Sequence, residues 1–339
     1  MESNQKPVKN EKAYWYYQSE ANPWLNTSIN DSNKIIWTKY RDLEIDLIEE
    51  AYQEKKTCVI LDRYSINFKY LIQINLNNQT KQRRVKREIG SNLIQCLREN
   101  RFGSTVAITS TSPFGNGDSW CPFLTAWLNS SSGKQVFLHF PKCIENCAQG
   151  IIREAVLHDS NSNTEATYMA ETLRKNSGKS RREIAELCIY FYTKDSFLYY
   201  VLNKALREHD SSKFETLGPL CYLICDYSRR SKDYIGTVYR GVQLTYVEIE
   251  AYKQHVGEWK TWPAYTSTSK DRQMAEMFGN TLFVIEITDV KLSAPRAQDI
   301  AHLSSYPDEQ EVLMPAGVSF QILKIEQDES QKYLIHVKV

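Results

Sequence analysis

The chain has almost no net charge: 42 Lys and Arg stand against 41 Asp and Glu over 339 residues, a formal +1. No whole-chain field points to nucleic acid or to an acidic membrane, so nucleic acid is not an expected partner. Long apolar runs are missing too. Met1 to Glu20 holds none of signal-peptide length, and nowhere does a stretch reach the roughly 18 apolar residues of a membrane span. A cytoplasmic or nuclear location is expected, with neither secretion nor a membrane partner. The cysteines, Cys58, Cys96, Cys121, Cys143, Cys147, Cys188, Cys221 and Cys225, include no Cys-x-x-Cys and are joined by no His pair that would complete a zinc set. They are expected to be reduced, and no metal is expected. Cys143/Cys147 and Cys221/Cys225 have a helix-face spacing suited to small buried apolar side chains. No internal repeat is present.

What the chain does contain divides into an N-terminal and a C-terminal part, and its length allows two or three domains. Residues 1–12 are polar and read as a disordered tail. From Tyr14 to Arg87 the strand-like segments are aromatic: Trp15-Tyr-Tyr17, Ile35-Ile-Trp37 with Tyr40, Cys58-Val-Ile-Leu61 and Tyr64-Ser-Ile-Asn-Phe68. Between them Asp42–Tyr52 places Leu43, Leu47, Ile48 and Ala51 at helical spacing, so one helix against a small curved sheet is expected. Gly103–Asp118, dominated by Gly, Ser, Thr, Pro and Asn, is the linker candidate, and Trp120–Cys143 has too weak a periodicity to assign. Residues 90–145 are taken as linker or unassigned.

Helices follow. Ser180-Arg-Arg-Glu183 is a capping box for a helix with Ile184, Leu187, Cys188 and Phe191 on one face. Asp195 is expected to cap a second through Leu198, Val201, Leu202 and Ala205, and Leu217–Tyr227 forms a third. From Thr237 strands dominate, at Val238-Tyr239, Leu282–Ile287, Val318–Ile325 and Tyr333–Val339. Two short helices interrupt them, one opened by Thr245-Tyr-Val-Glu248, the other spanning Asp271–Phe278 and ended by Gly279. A helical lobe followed by a mainly β lobe makes residues 146–339 an α+β domain.

Three segments of that domain carry chemistry. Val238-Tyr-Arg-Gly241 supplies a cation for a diphosphate, Tyr265-Thr-Ser-Thr-Ser269 supplies hydroxyls for a ribose, and Pro307-Asp-Glu-Gln-Glu-Val-Leu313 supplies two carboxylates. If Glu309 and Glu311 lie at a strand edge they share a face roughly 7 Å apart, and both reach one substrate. Two like charges so placed call for a cation between them. In order and spacing the three segments resemble the Arg, Ser-Thr-Ser, Glu-x-Glu signature of the mono-ADP-ribosyltransferases, whose fold is a split β-sandwich with a helical lobe. The resemblance implies NAD as co-substrate and residues 146–339 as the catalytic domain. It also implies that Arg240 binds the NAD diphosphate, that Gly241 gives the backbone close access to the nicotinamide side, and that Ser267 bonds the nicotinamide ribose and orients Glu311. Thr268 and Ser269 would shape the strand, and Phe278, eleven residues past Ser267, would stack on nicotinamide. Glu311 would be the catalytic carboxylate. Glu309 stands where arginine-modifying members carry Glu, which implies an acceptor protein with an exposed arginine. An NAD glycohydrolase and a catalytically silent nucleotide-binding scaffold are the alternatives.

Trp15-Tyr-Tyr17, the helix around Ile48-Glu-Glu-Ala-Tyr52, Tyr64-Ser-Ile-Asn-Phe68, Gln73 and Lys81-Gln-Arg-Arg-Val-Lys-Arg87 resemble the WWE domain over residues 13–89. Trp15, Trp37 and Glu49 or Glu50 fit its name-giving positions. The resemblance implies ADP-ribose binding at Tyr17, Tyr64, Gln73 and Arg83, with ADP-ribosylated proteins or poly(ADP-ribose) as partners. The residue types suit that ligand, since rings stack on adenine and a guanidinium forks onto phosphate. Asn22–Asn33 is an extra polar stretch between the first two Trp. Single-stranded nucleic acid ranks below these partners, because the basic cluster is short.

Overall fold

The computed structural model describes residues 12–19, 36–90, 113–116, 121–136, 139–158, 162–289 and 296–339. The expected N-terminal tail up to residue 11 and the Asn22–Asn33 stretch lie outside them. The chain forms two compact units, one of residues 1–96 with 160–168 and one of residues 97–159 with 169–339. No described helix is long and apolar enough to cross a membrane.

In the first unit β1 (Ala13–Gln18), β2 (Trp37–Lys39), β3 (Cys58–Ile60), β4 (Tyr64–Asn67), β5 (Ile72–Asn75) and β6 (Gln82–Ile89) make an antiparallel sheet in the order β2-β1-β6-β5-β4-β3. The expected single helix is α1 (Asp42–Gln53). It buries Leu43, Ile45, Ile48 and Ala51 and leaves Leu47 partly exposed. Glu44 starts it by accepting the Arg41 N–H at 3.0 Å. Trp15 is fully buried, and its indole N–H donates to Glu49 Oε2 at 2.8 Å. Glu49, not the exposed Glu50, is therefore the acidic partner of the domain.

The helices after residue 120 are α2 (Pro122–Asn129), α3 (Ser131–Gln135), α4 (Phe140–His158), α5 (Asn163–Lys175), α6 (Arg181–Thr193), α7 (Phe197–Glu208) and α8 (Phe214–Arg230). Aromatic contacts lock α2 to α8, with Phe123 and Phe214 edge-on at a ring-centroid distance of 4.8 Å and Trp127 and Tyr222 tilted at 5.7 Å. Two expectations need correction here. The boundary at 145/146 falls inside α4, and α2 already packs on the helical lobe. The weak periodicity of that region reflects two short helices broken at Ser130, whose hydroxyl caps α3 by accepting the Gly133 N–H at 3.1 Å. Ser180 and Glu183 form the expected capping box. The next helix, however, is capped at Ser196 rather than Asp195, without a side-chain bond.

The β lobe consists of β7 (Gly115–Asn116), β8 (Gly236–Val242), β9 (Trp259–Trp262), β10 (Thr266–Ser269), β11 (Thr281–Ile287), β12 (Gln298–Asp299), β13 (Glu311–Met314), β14 (Val318–Gln327) and β15 (Tyr333–Lys338). They pair in the order β12-β13-β10-β8-β11-β15-β14-β9-β7. Part of the expected linker is thus sheet: Gly115–Asn116 pairs with Thr261 and Lys260, and Phe114 is buried against Tyr252 at 4.9 Å. Two further short helices, α9 (Tyr246–Gln254) and α10 (Arg272–Glu276), lie where the capping residues indicated. Trp262 on β9 meets Phe283 on β11 at 5.7 Å. Three strand spacings separate those strands, about 14 Å in a flat sheet, so the sheet curls around its own core. That core gathers Val238, Phe283, Ile285, Val312, Phe320 and Val337.

Candidate active site

Three of the expected catalytic residues, Arg240, Ser267 and Glu311, come together on adjacent strands. On β10, Ser267, Thr268 and Ser269 are fully buried, and antiparallel pairing sets Ser269 opposite Glu311 and Ser267 opposite Leu313. Ser267 and Glu311 are therefore diagonal neighbours on one face. On the other side of β10, Ser269 pairs with Tyr239 of β8, and the following Arg240 donates Nη1–H to the Ser267 carbonyl at 2.7 Å. That bond uses one of the five N–H donors of the guanidinium. The Thr268 hydroxyl donates to the Val312 carbonyl at 2.7 Å and so ties β10 to β13.

Glu309 and Glu311 do not form the strand-edge pair that their spacing suggests. Glu309 ends a 3-10 turn (Pro307–Glu309), Gln310 is left-handed at φ 47 and ψ 47, and only Glu311 opens β13. A non-glycine residue in that conformation costs about 1–2 kcal/mol, so the turn must hold it in place. It is well fastened. Ser269 Oγ donates to the Glu309 carbonyl at 2.7 Å, the Lys270 N–H donates to the Gln310 carbonyl at 3.2 Å, and the Ile300 N–H donates to the Glu311 carbonyl at 3.0 Å. Both glutamates are buried.

Gly241 has a second reason for being glycine. A Cβ there would sit 1.9 Å from the Ala275 carbonyl oxygen and 2.7 Å from that of Phe278. The close approach that Gly241 permits here is therefore to the protein's own backbone. It seats Phe278, a buried ring preceding Gly279, whose φ of +62 turns the chain into β11.

Other residues of the site carry no sequence motif. Tyr192, from α6, is fully buried; Asn203 of α7 donates to its hydroxyl at 3.0 Å. Burial, with Tyr199 next in effect, pushes the Tyr192 phenol well up, and both Glu311 and Arg240 lie close enough to act on it. Arg207 of α7 lies near enough to Arg240 to feel its charge: burial lowers its pKa, with Arg240 as a further lowering cause. Two guanidiniums that repel each other suit a diphosphate, which would relieve the repulsion. Asn203 and Arg207 are spaced four apart on one helix face, a pattern too common to mark them from sequence alone.

In the first unit the four expected ligand residues converge on Tyr40, which no motif marks as a pocket residue. The Tyr40 ring lies 5.1 Å from Tyr17 and 6.2 Å from Tyr64, and its hydroxyl donates to Gln73 Oε1 at 2.6 Å. Arg83 pairs across the strands with Gln73 and stands over the Tyr17 ring at 5.4 Å. The Tyr64 hydroxyl donates to Glu44 at 2.8 Å. Burial raises both the Tyr40 and Tyr64 phenols.

Comparison with known proteins agrees with both halves. The family model for NAD:arginine ADP-ribosyltransferase matches residues 152–338, and that for the WWE domain matches residues 13–87. The Mav protein of Mycobacterium avium (strain 104), named for NAD(+)–arginine ADP-ribosyltransferase activity, is 39% identical over 93 residues. That stretch is 26% of this chain and 10% of Mav, so the chain spans about a tenth of its curated relative. Among solved structures the chain is similar to the ADP-ribosyltransferase HopU1 of Pseudomonas syringae pv. Tomato DC3000, at 22% identity and a TM-score of 0.41 over 50% of this chain and 86% of that one. It is also similar to the type III effector XopAI of Xanthomonas axonopodis pv. citri, at 14% identity and a TM-score of 0.44 over 66% and 94%. With its family match covering more than half of its length, and with a WWE domain ahead of it, the chain belongs to the NAD:arginine ADP-ribosyltransferases.

Proposed function

We propose that the protein transfers a single ADP-ribose unit from NAD to an arginine side chain of an acceptor protein and releases nicotinamide. The observation that supports this reading is the convergence of Glu311, Ser267 and Arg240 on three adjacent strands, with Glu309 in the buried turn that leads into Glu311. Cleaving the bond between ribose C1 and nicotinamide builds positive charge on the sugar, as in glycoside hydrolysis, but the leaving group is already cationic and needs no acid. One carboxylate, Glu311, then suffices to stabilise the sugar. A charge pair about 4 Å apart at an effective dielectric of 20 is worth on the order of 4 kcal/mol, about three powers of ten in rate. The second carboxylate, Glu309, has other work. A guanidinium has a pKa above about 12 and must be oriented and lose a proton to attack. Arg240, with Arg207, would hold the diphosphate, and Phe278 would face the nicotinamide.

The test is incubation with labelled NAD and arginine-bearing acceptor proteins, followed by mass spectrometry of the modified side chain. Label on arginine supports transfer; label found only as free ADP-ribose favours the glycohydrolase, and absence of turnover favours a silent scaffold.

The WWE unit supports a second role, binding ADP-ribose units of modified proteins, because Tyr17, Tyr64, Gln73 and Arg83 surround one aromatic cluster. Loss of retention on poly(ADP-ribose) in a folded Arg83→Ala variant supports it; unchanged retention counts against it. Such a reader would raise the local concentration of the transferase near modified targets.

A further inference from the structure

We propose that Ser304 is a positioning residue for the Glu311 carboxylate, an inference that rests on the catalytic reading of Glu311. The Ser304 hydroxyl accepts the Tyr306 N–H at 3.1 Å and donates to Glu311 Oε2 at 3.5 Å. One oxygen thus links the backbone of the turn to the carboxylate. The second contact is long for an O–H···O bond, as hydrogen bonds of catalytic groups commonly are before substrate tightens them.

The frame around Ser304 is already fixed by other bonds. The Leu303 and Ser304 N–H groups both donate to the Ile300 carbonyl at 2.9 Å, the Ser305 N–H donates to Thr193 Oγ1 at 3.2 Å, and the Glu309 N–H donates to the Tyr306 carbonyl at 3.1 Å. Thr193 is fully buried at the end of α6, so the turn is pinned to the helical lobe beside Ser304. A donor set in a fixed frame can hold a flexible side chain. Such a donor bears directly on Glu311, whose backbone is tied to Ile300 while three rotatable bonds separate that backbone from the charge. Burial already limits the rotamers of that side chain, and a donor on one of its oxygens sets the plane of the carboxylate toward the sugar carbon.

Ser304 is partly exposed in a turn, so side chains of similar size can be exchanged there. Ser304→Asn keeps an acceptor for the Tyr306 N–H and a donor for Glu311. Ser304→Asp has the same shape and keeps the acceptor, but it has no donor at neutral pH and repels the carboxylate. NAD cleavage without acceptor is measured for both. The expected result is Ser304→Asn within about threefold of the unmodified protein and Ser304→Asp down about tenfold or more in kcat, with KM for NAD nearly unchanged. Equal kcat in the two variants, or a loss expressed in KM, overturns the proposal. Should either variant melt early, Ser304→Thr against Ser304→Ala makes the same comparison: Thr retains kcat and Ala lowers it, and equality again overturns the proposal. Glu311→Gln run in parallel separates the two claims. Cleavage that survives Glu311→Gln refutes the role of Glu311 itself, whereas cleavage lost there but equal in the Asn and Asp variants refutes Ser304 alone.

Discussion

Ser269 holds Glu309 through the backbone: its buried hydroxyl donates to the Glu309 carbonyl at 2.7 Å and accepts the Asp271 N–H at 2.9 Å. Asp271 in turn caps α10, accepting the Met274 N–H at 3.2 Å, and α10 leads to Phe278. A single oxygen therefore joins the turn that bears Glu309 to the segment that leads to Phe278. Ser269→Ala leaves that carbonyl and N–H without their partner, at about 1–3 kcal/mol. The expected outcome is a larger loss of transfer to a small guanidino acceptor than of NAD hydrolysis, measured side by side in one preparation. Equal loss of both would place the effect on the NAD side alone.

The two glutamates should separate by reaction. Glu311→Gln removes the charge opposing the developing cation and is expected to lower both transfer and NAD cleavage by about three powers of ten. Glu309→Gln is expected to lose arginine modification while NAD hydrolysis continues. Product analysis with labelled NAD reads both activities at once, and a matched loss in both variants would contradict the division of labour.

Gly241→Ala tests the packing beneath Phe278. The added methyl would meet the Ala275 and Phe278 carbonyls at 1.9 and 2.7 Å, so the segment must move. Overpacking of this kind costs about 1–3 kcal/mol. A lower melting temperature together with a several-fold higher KM for NAD is expected; a lower melting temperature with KM unchanged would mean that the Phe278 segment does not contact NAD.

Much of this was legible in the chain because the signals are local. Ser180/Glu183 and Thr245/Glu248 announce their helices, since a capping box satisfies neighbouring N–H groups within one turn. Ordered motifs mark Arg240, Ser267 and Glu311, whereas none marks Tyr192 or Arg207. Tyr192 and Arg207 come near Arg240 through the tertiary placement of α6 and α7, which no spacing encodes. Tyr40 escaped assignment to the pocket for the same reason, as its partner Gln73 is far along the chain. The Glu309/Glu311 geometry misled because Gln310 carries no mark of its left-handed conformation. At 115–116 a two-residue strand inside a polar stretch is decided wholly by its pairing with β9.

Acid should loosen the N-terminal unit through Glu49. Its carboxylate accepts Arg87 at 2.9 and 2.6 Å, Gln53 at 2.6 Å and the Trp15 indole at 2.8 Å. Arg87 above all pulls its pKa down to about 2 from an ordinary 4.5. A carboxyl with a depressed folded pKa contributes stability that is complete above the unfolded value, declines as pH falls below 4.5, and is gone once pH has passed through about 2. Hydrogen exchange in α1 of the full chain, corrected for the chemical rate, should therefore lose protection across that window. Glu49→Gln, which keeps the shape but not the charge, should already be less protected at pH 7, by on the order of 2 kcal/mol, and should lack the Glu49 part of the acid response. A variant whose α1 matched the unmodified protein at neutral pH and fell in parallel with it in acid would show that other carboxylates govern the transition.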